Sequence, residues 1–147
     1  MRHLLIIAGL PGLLLALGAC GHASPSADPM TVSALDNQID ALNGQTVRVK
    51  GYLGICHSLQ CSLFTNKADS DLSERRTAAM WQHVEPLPPA PPELGIGSAE
   101  GFDSKADRLQ HSPVLITGKV TNECRHAICT DRGPDLVPTD IVSLKDI

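Results

Sequence analysis

Thr46-Val47-Arg48-Val49-Lys50-Gly51-Tyr52-Leu53 alternates apolar and polar side chains with a period of two. Val47 and Val49 fall on one face and Arg48 and Lys50 on the other, the pattern of a half-buried β-strand. Gly51 inside such a pattern marks a bulge or a bend. Cys56 to Cys61 then forms a short loop and Cys61-Ser62-Leu63-Phe64-Thr65 a returning strand, which together predict a hairpin. The motif recurs. Val47-x-Val49-x-Gly51-x-Leu53 leads to Cys56-x4-Cys61, and Val114-x-Ile116-x-Gly118-x-Val120 leads to Cys124-x4-Cys129. The step from glycine to first cysteine is five residues in one copy and six in the other, as a bulge would produce. Two copies are too few for a solenoid, so they read as equivalent strands of one small sheet, each followed by a cystine-pinned loop.

Outward from these strands, Val32, Leu35, Ile39 and Leu42 lie on one face of a 3.6-residue period, predicting an amphipathic helix of about three turns. Thr31 or Ser33 can cap its start and Gly44 its end. Residues 67–83 permit a loose helix through Leu72, Ala79, Met80 and Trp81. Glu85 to Glu93 (EPLPPAPPE) holds five prolines and reads as a polyproline spacer, so residues 67–93 form a Pro-rich insertion. Leu94-Gly95-Ile96-Gly97 is a short strand, and Ala99 to Leu109 a helix with Phe102, Ala106 and Leu109 on one side. Val114 to Val120 is apolar enough for a central strand. Asp131-Arg132-Gly133-Pro134-Asp135 is a turn whose charges suit a local ion pair, and Leu136 to Leu144 is a last strand despite Pro138. Gly95-x-Gly97-x3-Gly101 follows a proline run and lacks a βαβ context, so it reads as a turn. His83 and His111 stand alone and default to surface or cap roles.

The chain has 147 residues, 42% hydrophobic, 19% charged and only 3% aromatic, values that fit one globular domain. Too few aromatics remain to line a nucleic-acid groove. Met1-Arg2-His3 is a short basic start, and Leu4 to Leu17 is an uncharged apolar run of 14 residues. A bilayer span takes about 20, so this length suits a signal-peptide core. The run ends in Leu17-Gly18-Ala19-Cys20, which resembles the lipobox of bacterial lipoproteins. The resemblance implies a signal peptide over residues 1–19, cleavage before Cys20, and a diacylglyceryl group on the Cys20 thiol. Residues 20–30 are then the lipidated cysteine and a flexible tether (HASPSADP within it), and residues 31–147 the folded domain. Gly21 after the cysteine resembles sorting to an outer membrane, facing the periplasm, in a bacterium that has one. Loss of Arg2 with the signal makes the mature chain one unit more acidic than the −4 of the full sequence. That balance repels phosphate backbones, so nucleic acid is an unfavoured partner and membrane attachment rests on acyl chains.

Leu42-x-Gly44-x-x-Val47-x-Val49-x-Gly51, with the later Val114-x-Ile116-x-Gly118 strand, resembles exported bacterial OB-fold proteins, particularly the tRNA-anticodon-type OB family. The resemblance implies a mainly β fold with one or two helices: a small five-stranded OB-like barrel with an N-terminal helix, pinned by disulfides. It also implies that the Cys56–Cys61 loop joins strands one and two, and the Cys124–Cys129 loop strands four and five, flanking a binding face.

Apart from Cys20, four cysteines remain in an exported chain, an even number, so disulfides are their expected state. Local pairing, Cys56 with Cys61 and Cys124 with Cys129, is favoured because a hairpin brings positions five apart within bridging distance. Cross-loop pairing, zinc held by the two Cys/His loops, and a redox role are the alternatives. No nucleophile elbow, Walker loop or zincin helix is present. These readings converge on a lipid-anchored cell-envelope protein carrying a non-enzymatic binding or structural module, without cofactor or catalytic residues. Candidate contacts are Tyr52, His57, Arg125 and His126, which the two loops would present side by side to an envelope protein partner. An envelope redox or metal-binding protein is the alternative.

Overall fold

The computed structural model describes residues 28–57, 60–126 and 133–145, without the side chains of His57, Gln60, Cys124 and His126. The expected signal peptide, Cys20 and most of the expected tether lie outside that range. In chain order the elements are β1 (Met30–Thr31), α1 (Val32–Asp36), β2 (Thr46–His57), β3 (Gln60–Phe64), α2 (Lys67–Trp81), β4 (Glu93–Gly95), α3 (Phe102–Leu109), β5 (Ser112–Val120), α4 (Glu123–His126) and β6 (Leu136–Ser143). The protein is mainly β. Its strands run in the order β4-β3-β2-β5-β6, antiparallel at every step, with β1 added parallel to β2.

β2 organises the sheet because it is long enough to serve two partners at once. Thr46 to Leu53 pairs with β5, while Tyr52 to His57 pairs with β3 around a register shift between Leu53 and Cys56. Alternation does what the pattern requires: Val47, Val49 and Leu53 are buried, while Lys50 is exposed. β5 is central, flanked by β2 and β6, and buries Val114, Leu115, Ile116 and Val120.

The two glycines of the repeated motif share a physical reason. A Cβ at Gly51 would stand 2.6 Å from the Phe64 carbonyl oxygen; one at Gly118 would stand 2.6 Å from that of Val137. Each sits where a neighbouring strand's backbone crosses too closely for any side chain. Gly118 also lies at the β5–β6 register shift, opposite Pro138. Pro138 is buried there and, lacking an N–H, is tolerated at the irregularity. The bulge in β2 falls beyond Gly51, between Leu53 and Cys56.

The two ends of the strand order approach each other. Ile96, just past β4, forms an isolated parallel bridge with Leu136 at the start of β6. Gly97 N–H donates to the Leu136 carbonyl at 2.9 Å and Asp135 N–H to the Gly95 carbonyl at 2.8 Å. This is a point junction and no continuous ladder, so the sheet is open and the expected OB-like five-stranded barrel is not closed.

The helices also depart from expectation. The N-terminal helix spans only Val32–Asp36, capped by Thr31, whose side chain accepts from Ala34 N–H at 3.2 Å. Turns carry the same apolar face onward, so Val32, Leu35 and Ile39 are buried although the helix has ended. Gly44 closes the segment at φ +80°. α3 buries Phe102 and Ala106 against the sheet, as its pattern predicts, and Lys105 ties it to Asp140 of β6 at 2.8 Å. That bond, the largest influence on Asp140, holds its carboxyl below the ordinary value.

α2 is a well-formed helix. Asn66 caps it by accepting from Asp69 N–H at 3.0 Å and donating back to the Asp69 carboxylate at 3.0 Å. Its far end is a Schellman cap: His83 takes the left-handed position (φ 55°), His83 N–H donates to the Met80 carbonyl at 3.2 Å, and Val84 N–H to that of Ala79 at 2.9 Å.

Replacing Gly118 by alanine should lower the unfolding free energy by about 1–3 kcal/mol, the usual cost of overpacking. The nearest obstacle is the Val137 carbonyl oxygen, so trimming Leu136 should not rescue it. Urea titration of the single and double variants reads both outcomes.

Candidate functional site

The hairpin between β2 and β3 ends in the Cys56–Cys61 disulfide, with a Cα–Cα distance of 4.1 Å. The two residues are register partners, so strand pairing itself brings the thiols together. The Cys56 N–H donates to Gln110 Oε1 at 3.1 Å, and Ile96 N–H donates to the Cys61 carbonyl at 2.7 Å. The tip of the hairpin is thereby tied to the end of α3 on one side and to the strand after β4 on the other. Between them lies a cavity of about 100 Å³ lined by Cys56, Cys61, Gly97, Asp103 and Ala106. Small-molecule sites run to roughly 300–1,000 Å³, so this space suits a few waters or one small group. Asp103, on its rim, accepts from Ser98 Oγ at 2.5 Å.

A second cluster forms around Asp135 and Arg125. α4 follows β5 and carries Arg125, whose Nε donates to Asp135 Oδ1 at 2.8 Å and whose terminal nitrogen donates to Asp36 Oδ1 at 2.7 Å. Asp135 is 3% exposed. Its other carboxylate oxygen accepts from Gly95 N–H at 2.7 Å. The hydrogen bond to Asp135 raises the Arg125 pKa above its ordinary value against the opposing effect of burial, and Asp36 adds to the rise. The local ion pair foreseen within residues 131–135 involves residues that are not all described. Asp135 reaches ten residues back to Arg125, and Asp131 and Arg132 lie outside the described residues.

Of the four candidate contacts, the described side chains are those of Tyr52 and Arg125. Tyr52 sits opposite Pro113 near the beginning of β5, whereas α4 starts beyond the last residue of that strand. Tyr52 is half-buried and donates its hydroxyl to the His111 carbonyl at 2.7 Å; His111 Nδ1 in turn lies 3.7 Å from Glu74 Oε1. Arg125 is bonded to Asp36 and Asp135 instead. His57 closes β2 and His126 closes α4, but where their side chains point lies outside the description, as do Cys129 and any Cys124–Cys129 pairing.

The residues that matter most locally were hidden from the sequence. Asp36 and Arg125 are 89 positions apart and Gly95 and Asp135 are 40 apart, with no local pattern linking them. The Asn66-x-x-Asp69 cap, by contrast, was a readable helix signal.

Comparison with protein-family models, with curated proteins and with solved structures gives no match. Among the described residues, no group of three or more His, Cys, Asp or Glu side chains is placed to hold a metal ion, and no helix is long and apolar enough to cross a membrane.

Asp135→Asn keeps the shape but loses the charge that holds Arg125. Unfolding free energy should fall by about 1–3 kcal/mol, read by chemical denaturation. Replacing Cys56 and Cys61 together by serine opens a loop of about six residues and should cost about 2 kcal/mol in the same assay.

Proposed function

We propose that this chain is a lipid-anchored cell-envelope protein whose folded part is an OB-like, non-enzymatic binding or structural module. The observation that carries the anchor is the Leu17-Gly18-Ala19-Cys20 motif, placed directly after a basic start and an apolar run of signal-peptide length. A disulfide at Cys56–Cys61 accords with an oxidising compartment outside the cytoplasm. The same chemistry supports a second bridge between Cys124 and Cys129. It also weighs against zinc, since two sulfurs joined to each other offer a metal no thiolate.

Support for the OB-like reading comes from the strand order. An OB-fold is a five-stranded, partly open Greek-key barrel. Here β2, β3 and β4 form a meander, α3 follows, and β5 returns to the far side of β2 before β6. The bridge from Ile96 to Leu136 sits where such a barrel would close. Fold does not name a ligand, and the module's ligand is left open to an envelope protein partner.

Growth with labelled palmitate tests the anchor. The wild-type chain should take up label, and Cys20→Ala should abolish it; labelling that persists in the variant overturns the reading. Crosslinking of the anchored protein in cells then identifies what it touches.

A further inference from the structure

Chemical identity changes along α2 from one end to the other. Its first ten residues carry Lys67, Asp69, Asp71, Glu74, Arg75 and Arg76; its last turn is Ala78-Ala79-Met80-Trp81. Trp81, the chain's one tryptophan, is 78% exposed, Met80 52% and Val84 48%. These three lie within five residues of one another at one tip. The Schellman bonds fold Val84 back against Ala79, so the tip is a structured knob and no frayed end. The Arg76 guanidinium donates to the Pro88 carbonyl, tying the proline run back to the same helix.

We propose that Met80, Trp81 and Val84 form a second membrane contact, an apolar wedge that enters the headgroup region of the bilayer holding the Cys20 acyl chains and thereby orients the domain. This rests on the lipid-anchor reading.

The length of the tether decides the occupant. Nine residues, 21–29, separate Cys20 from Met30, and fully extended they span about 30 Å. The chain enters the domain beside the start of α2: Ser33 Oγ lies 3.5 Å from Thr65 Oγ1, and Thr65 directly precedes the helix cap Asn66. From there the 15 residues of α2 reach about 22 Å, inside the tether's radius. The bilayer is therefore the one apolar phase held permanently within reach of this tip. A patch of three side chains is too small to capture a partner from dilute solution. Held on a short linker, it meets the bilayer at an effective concentration of about millimolar. Tryptophan suits this boundary, with an apolar ring and an N–H for the wet side. An acidic chain gains little from charge at such a surface, so an apolar wedge is the form the contact takes.

The single tryptophan is its own reporter. The full acylated chain is reconstituted into phosphatidylethanolamine–phosphatidylglycerol vesicles, with or without lipids brominated near the carbonyl end of the acyl chain. Trp81 emission should move to the blue and be quenched roughly two-fold by the brominated lipid, as expected for a ring at the interface. Met80→Asp combined with Val84→Asp should abolish that quenching while circular dichroism and co-flotation with vesicles stay unchanged. A chain that co-floats while Trp81 emission ignores the bromines overturns the wedge and leaves the anchor standing. Failure to co-float overturns both. A blue shift that ignores bromine but grows with protein density assigns the tip to a second copy of the chain, and also overturns the proposal.

Discussion

Asp135 joins the two ends of the sheet. Its N–H donates to the Gly95 carbonyl, its carboxylate accepts the Gly95 N–H, and its carbonyl accepts the Thr121 N–H. Side chain and main chain of one residue thus form a reciprocal pair with Gly95, a substitute for a rung of ladder where β4 has ended and β6 has yet to begin. A buried carboxylate is costly unless it is paired and hydrogen-bonded. Arg125 supplies the pairing, and Asp36 anchors the other side of the guanidinium to the end of α1. One polar cluster therefore links the N-terminal helix, the strand after the insertion and the last strand. Those segments are far apart in the chain, and apolar burial alone would not set their register.

The sheet can curl towards that junction because its two long strands lack a side chain at the point of closest crossing. Gly51 and Gly118 occupy the same place in the repeated motif, and each admits a neighbouring carbonyl to 2.6 Å of where a Cβ would be. The resemblance between the two segments is thus a steric one. Both strands pass over a neighbour at short range. At the β2–β3 hairpin the Cys56–Cys61 bond lies beside that same junction: Ile96 N–H donates to the Cys61 carbonyl, and the adjacent Gly95 holds Asp135. A covalent and an ionic fastening thus meet at one place, in a domain whose core is made mostly of aliphatic side chains.

Periodicity made the sheet legible. The two β-strands with alternating or continuous apolar patterns, the hairpin, the last strand across Pro138 and the apolar side of α3 all follow from residues within a few positions of one another. Ile39 shows the limit of that reading. Its burial was readable from the 3.6-residue spacing, but the helix meant to carry it stops at Asp36, because turns can present the same face. α2 was underestimated for the opposite reason. Its apolar residues cluster at one end and make no stripe, and its stability comes from the Asn66 cap, the Lys67–Asp71 pair and the structure at His83. The polar cluster around Arg125 was illegible because it depends on contacts across 40 to 89 residues. Tyr52 and Arg125 are each engaged by groups that no local pattern names, Tyr52 by the His111 carbonyl and Arg125 by Asp36 and Asp135.

The use of aromatic side chains carries the same logic further. Burying one such ring removes roughly 150–250 Å² from water, a large gain for a small core. Phe64 and Phe102 are spent that way, at 4% and 3% exposure, and Tyr52 is half-buried with its hydroxyl bonded. Trp81 alone is left in solvent, on a helix end that the chain takes care to cap. A domain short of aromatic core that still leaves its largest apolar side chain outside, at the tip of an insertion, gains nothing in folding stability from that placement. The compensation has to come from outside the fold, and the acyl anchor would put a hydrocarbon phase within reach.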